Sequence, residues 1–257
     1  MQTGALAIAI AAACTHAALG DTPGNEERAV LAAKAARPEL QRALVALSIE
    51  DLIALGKKSL AGLGVYGVRL VKQERVKGML LDPQTLELVL RDRPLAVRAT
   101  FVAGPAKGRR LVYNAELRKD ELRVREGGFF GLLAVWVNLD SGLTRGDTNH
   151  RATDLGFGAL LDLISRDLEL ARPHGGFSRT DEGFDDRGLF CMRFDAPRGV
   201  IGLSGDRTRI CIDVALGLPL RTEVYGGAKL LERYLFEKVS PRLVVPPNYF
   251  TPEAAGL

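Results

Sequence analysis

Histidine, cysteine and tryptophan are scarce in this chain, at three, three and one among 257 residues. His16, His150 and His174 stand far apart and no Cys-x-x-Cys occurs, which excludes the closely spaced ligands of a zinc site. A phosphate-cradling glycine loop ending in Lys is also missing, because Gly104 and Gly108 lead into Arg109-Arg110. Ser204, in Gly202-Leu-Ser-Gly205, falls short of the Gly-x-Ser-x-Gly nucleophile turn. No apolar run reaches the ~20 residues of a membrane-crossing helix. Charge is not gathered into a block either: 35 Lys and Arg are interspersed with 31 Asp and Glu, for a net +4. Such mild basicity does not point to nucleic acid. These absences leave no residue set for catalysis, a metal or a cofactor, and the chain reads as non-enzymatic.

What is present begins with an export signal. Gly4 to Ala13 is continuously apolar, within the roughly 7–15 residues such a core needs, and small residues Ala18 and Gly20 precede Asp21. No Lys or Arg precedes the core. The reading assigns residues 1–20 to a signal peptide, 21–47 to a helical segment and 48–257 to one domain, exported to the periplasm or cell envelope. Ala11-Ala-Ala-Cys14 also has the small residues of a lipidation site, so Cys14 is a candidate for acylation. The remaining Cys191 and Cys211 form an even pair on successive strand-like segments. A bridge between them is geometrically reasonable in an oxidising compartment, with two buried thiols as the alternative.

Periodicity supplies the fold. Glu26 to Leu47 is rich in Ala, Leu and Arg and predicts helix, with a break at Pro38. Ser48-Ile-Glu-Asp51 resembles a helix cap, and Gly62 and Gly64 are stop signals. Period-two alternation follows in Val65 to Val76, Thr85 to Arg93, Leu95 to Ala103, Arg109 to Glu116, Glu121 to Arg125 and Ala134 to Leu139, separated by short turns. Thr153 to Leu170 returns to helical spacing, with Phe157, Leu160, Leu161, Ile164 and Leu168 on one stripe. Arg172 to Gly188 reads as a polar loop whose acidic run, Asp181 to Asp186, is a surface feature rather than a Ca²⁺ site. Four further strands are predicted, at Leu189 to Asp195, Thr208 to Val214, Leu220 to Tyr225 and Leu230 to Val239. The result is α+β, a curved antiparallel sheet with helices against it.

Several stretches carry a family likeness. Tyr66-Gly-Val-Arg-Leu-Val-Lys-Gln-Glu-Arg75, Arg91-Asp-Arg-Pro94 and Gly108-Arg-Arg-Leu-Val-Tyr113 resemble the opening strands of a family of exported bacterial proteins, domain of unknown function 1571. His150 with Thr153-Asp-Leu-Gly-Phe157, Cys191, Ile212-Asp213, Gly217-Leu-Pro-Leu-Arg221 and Glu232-Arg-Tyr-Leu-Phe236 continue the pattern. More distantly the chain is similar to the periplasmic lipoprotein-carrier superfamily. The resemblance implies an unclosed β-barrel with helices covering its concave face and acyl chains bound inside; it implies no reaction.

The candidate cavity residues are Val68, Leu70, Leu88, Leu90, Val97, Phe101, Leu111, Tyr113 and Trp136 from the sheet, with Phe157, Leu161 and Ile164 from the later helix. Trp136 alternates opposite to Val135 and Val137, leaving its side open. The same residue types would equally make a filled core. Lys72, Glu74, Arg75, Arg91, Arg93 and Arg98 are read as a solvated outer face, the alternative being a rim around an anionic headgroup. The expected partner is a lipid or acyl chain, or a lipoprotein or other envelope protein, with peripheral membrane contact. A sensor or scaffold with a solid interior and an envelope hydrolase are the rival readings.

Overall fold

A computed structural model describes residues 37–128, 131, 133–142 and 146–257. The predicted signal peptide, Cys14 and the first part of the helical segment lie outside the described residues. Residues 37–45 are helical, and α1 (Ile49–Leu63) follows. Its start is the predicted one: the Ser48 side chain accepts from the Asp51 amide, and the Asp51 side chain accepts from the Ser48 amide. Its end is set by Gly64, whose φ of 61° suits a residue without a Cβ.

The strands run β1 (Val65–Val76), β2 (Met79–Leu80), β3 (Gln84–Arg91), β4 (Ala96–Ala103), β5 (Arg110–Asn114), β6 (Glu121–Arg125) and β7 (Val135–Asn138). After α2 (Phe157–Ala171) come β8 (Ser178–Phe184), β9 (Phe190–Asp195), β10 (Arg207–Asp213), β11 (Leu218–Gly226) and β12 (Lys229–Ser240), then a short α3 (Pro252–Ala255). One antiparallel sheet results, ordered β7-β6-β5-β4-β3-β1-β12-β11-β10-β9-β8, with β2 beside β1. Long β1 pairs on one side with β3 and on the other with β12, so the first and last strands meet at the middle of the sheet. The ends β7 and β8 do not pair, and the barrel is unclosed.

Alternation sets which face is covered. In β1 the even positions from Tyr66 to Val76 are buried and the odd ones half-exposed. The inward residues of β1 and β3–β7 form one cluster with Leu60 and Leu63 of α1 and Phe157, Leu160 and Leu161 of α2. Phe157 anchors it, with ring centroids 5.6 Å from Tyr66 and 4.5 Å from Phe236. The helices touch through Gly56, where a Cβ would come within 2.8 Å of Leu161 Cδ2. A second cluster joins Leu44 to Phe190, Met192, Phe194, Ile210 and Ile212. On the convex side, Phe250 and Ala255 pack against Ala96 and Val112.

Two expectations need correcting. The region read as a loop contains β8, which pairs with β9 from Ser178↔Asp195 to Phe184↔Phe190. Its sequence, Ser-Arg-Thr-Asp-Glu-Gly-Phe, buries no side chain, so an edge strand held by backbone bonds leaves no apolar alternation to read. Two charged residues of β1 also lie on the other face: Lys72 and Glu74 are 5% and 3% exposed and face inward, whereas Arg75 keeps the outer side.

Candidate functional site

The concave face is more closely filled in one half than in the other: about 40 Å³ is open beside Phe101 and Leu111 in the first half, against about 80 Å³ in the second. Val68, Leu70, Leu88, Leu90, Val97, Phe101, Leu111 and Tyr113 are all buried, and all belong to the closely packed cluster under α1 and α2 along with Phe157. Trp136 faces outward. Its register partner is Arg123, and the Arg118 and Arg123 guanidinium carbons lie 4.2 and 5.7 Å from its ring centroid. Val137, paired with inward Leu122, takes the inner position.

Beyond β12 the packing opens. A cavity of about 80 Å³ lies between the helix pair and strands β9–β11. Leu52 and Leu55 of α1, Leu161, Ile164 and Leu168 of α2, and Met192, Ile210 and Val224 of the sheet make it predominantly aliphatic. Of the predicted cavity residues, Leu161 and Ile164 line it. The sheet residues that do so lie on β9–β11, which the family likeness marked only at scattered positions.

α2 separates this cavity from a larger cleft. The cleft holds about 1220 Å³, and Leu160, Leu161 and Leu163 border both spaces. Five cationic side chains, Lys57, Arg91, Arg93, Arg151 and Arg166, line the cleft against Asp92, Asp154 and Asp162. Burial pushes the Asp92 carboxyl up, against the pull of Arg93.

At the cleft's inner end, β1 and β12 bring two carboxylates face to face, since Glu74 and Glu232 are register partners. Like charges directly opposite are unfavourable unless compensated. Lys72 Nζ donates to Glu74 Oε1 at 3.0 Å, and the Tyr234 hydroxyl donates to the same oxygen at 2.8 Å. Thr148 Oγ1 and the Asn149 amide donate to Glu74 Oε2 at 2.7 and 2.8 Å. His150 Nε2 meets both oxygens of Glu232, at 2.9 and 3.0 Å. Burial alone would raise Glu74, but Lys72 and these donors hold it below the usual carboxylate range. Burial alone would lower His150, but Glu232, with Glu74 and Asp154 nearby, holds it above the usual imidazole value. With His150 protonated, the four buried or half-buried charges balance. The network clamps the segment leading into α2 onto the centre of the sheet. The phase of β1 could have revealed it, because positions 72 and 74 continue the inward series of Tyr66, Val68 and Leu70.

Register links the polar network to the cavity. Lys72, Tyr234, Thr222, Ile210 and Met192 are successive partners across β1, β12, β11, β10 and β9. One row of the concave face thus passes from charge to hydrocarbon. On the convex face, Cys191 and Cys211 are partners with Cα atoms 4.0 Å apart and are disulfide-bonded.

An open antiparallel sheet with helices across its hollow defines an unclosed β-barrel of the α+β class. Over residues 64–254 the sequence matches the family described as "Protein of unknown function (DUF1571)", and the chain belongs to that family. No curated protein matches. Solved structures that resemble it include lipoprotein LppX from Mycobacterium tuberculosis, at 15% identity and TM-score 0.44, covering 77% of this chain and 100% of that one. A putative outer membrane lipoprotein-sorting protein domain from Vibrio parahaemolyticus has 11% identity and TM-score 0.42, covering 81% and 99%. A LolA superfamily protein from Nitrosomonas europaea has 10% identity and TM-score 0.33, covering 81% and 100%. No helix among the described residues is long and apolar enough to cross a membrane.

Proposed function

We propose that this is an exported, non-catalytic carrier that binds a lipid or acylated polypeptide, with hydrocarbon under α1 and α2 and the polar end toward the cleft. The observation that carries this reading is the aliphatic cavity, which shares α2 residues with a cleft where Lys and Arg outnumber Asp. Each acyl methylene buried contributes about 0.8 kcal/mol, so binding needs no charged anchor. The cavity of about 80 Å³ is roughly half the ~150 Å³ that admits benzene. Ligand entry therefore requires α1 and α2 to move outward. The close approach of Gly56 to Leu161 is where the two helices meet.

Among the described residues, the Asp92 and Asp162 carboxylates of the cleft and the Glu74–Glu232 pair bear on a hydrolase, and the pair is the more tightly built. Its oxygens, however, are taken up by Lys72, Tyr234, Thr148, Asn149 and His150, which argues for a clamp rather than a proton-transfer pair. Extraction of the purified protein followed by mass spectrometry tests the carrier reading. A discrete copurifying lipid, or uptake of a fluorescent fatty acid by delipidated protein, is expected. Absence of both removes carriage and leaves the protein-binding scaffold.

A further inference from the structure

We propose that the Thr222 hydroxyl is a ligand-binding group, and that the cavity accepts an acyl chain bearing an oxygen acceptor, such as an ester carbonyl, in preference to plain hydrocarbon. The inference rests on the carrier reading and specifies its ligand. Thr222 is 2% exposed and lines the cavity. Two buried side-chain oxygens lack a hydrogen-bond partner among the described residues, Asp185 Oδ2 and Thr222 Oγ1, and of these Thr222 alone lines the cavity. A buried hydroxyl left without a partner is unfavourable, because the water it gave up is not replaced. Valine would fill the same space without that cost.

The surroundings explain why the protein itself leaves the hydroxyl unmatched. Tyr234, its register neighbour on one side, directs its hydroxyl to Glu74 at 2.8 Å. Ile210, on the other side, offers only carbon. Asp167 and Ser204, also in the wall, are engaged with each other and with Arg166: the Ser204 amide donates to Asp167 Oδ2 at 3.0 Å, and Arg166 donates to Asp167 Oδ1 at 2.8 Å. Thr222 therefore stands at the border between the charged network and the aliphatic void. A chain lying along Ile210 and Met192 with its carbonyl at Thr222 would accept a hydrogen bond from the hydroxyl and complete the row.

The test uses delipidated full-length protein loaded with diphenylhexatriene, a pure hydrocarbon probe, displaced by methyl decanoate or by decane. The expected result is that Thr222→Val raises the ester concentration needed for half-displacement about tenfold, the scale of one buried hydrogen bond. Displacement by decane should be unchanged, and Thr222→Ser should restore the wild-type response to the ester. The valine variant should melt no lower than wild type, since it deletes an unmatched polar atom. An equal effect on ester and alkane, or no effect on either, overturns the role of Thr222 while leaving the carrier reading in place. Wild-type protein that takes up neither probe nor ester overturns both.

Discussion

The two halves of the sheet share one backbone plan and treat their concave faces differently. From β1 through β6 most inward residues are nearly inaccessible and cluster around Phe157 and Tyr66, with about 40 Å³ open beside Phe101 and Leu111. From β9 to β11 the same alternation leaves about 80 Å³ unfilled beneath the helices. The first half behaves as a foundation and the second as a pocket wall. A container needs both, because a void is tolerated only where rigid packing elsewhere offsets its cost.

Hollowing the foundation is the severest way to challenge that contrast. Leu70→Ala, at a fully buried position, is expected to cost about 3–5 kcal/mol in urea denaturation; a cost below about 1 kcal/mol would mean that the first half is also slack. Next comes the staple behind the pocket wall. Cys191 and Cys211 close a loop with a sequence separation of 20, so a double Ser variant should lose about 2–4 kcal/mol, and reductant should have the same effect on the wild type alone. Overfilling gives the sharpest comparison. Val97→Phe in the foundation should destabilise by about 1–3 kcal/mol. Val224→Phe, on the cavity wall, should cost less than half as much while blocking uptake of a fluorescent fatty acid. Equal costs would erase the distinction between the halves.

The smallest effect is in the pH dependence of the clamp. His150 is held above its unfolded value, so its contribution to stability is complete below about pH 6.5 and is lost as pH rises through the folded value. Glu74 is held below its unfolded value, so its contribution is present above about pH 4.5 and is lost as pH falls through the folded value. A stability profile should therefore decline on both sides of this window, and His150→Gln should flatten the alkaline side alone. A variant that retains the alkaline decline would show that another group is responsible.

Much of the foundation was legible from residue order. The alternation of β1 matches its predicted limits, Val65–Val76, and the Ser48 cap starts α1 where expected. The pocket was far less legible, for two physical reasons. Leucines that fill a core and leucines that border a void are chemically the same, so Leu88 and Leu161 could not be told apart before the helices were placed. Edge strand β8 earns its place through backbone pairing, and its charged side chains conceal it. The inward charges were readable in principle. Lys72 and Glu74 fall in phase with Leu70, and giving residue type priority over phase sent them to the wrong face.

The open sheet has a further consequence at its two border strands, β7 and β8. Exposed strand borders invite neighbouring molecules to zip on and grow into aggregates. Here β7 is only four residues long and β8 carries Arg179, Asp181 and Glu182. Brevity at one border and charge at the other work against such edge-to-edge growth.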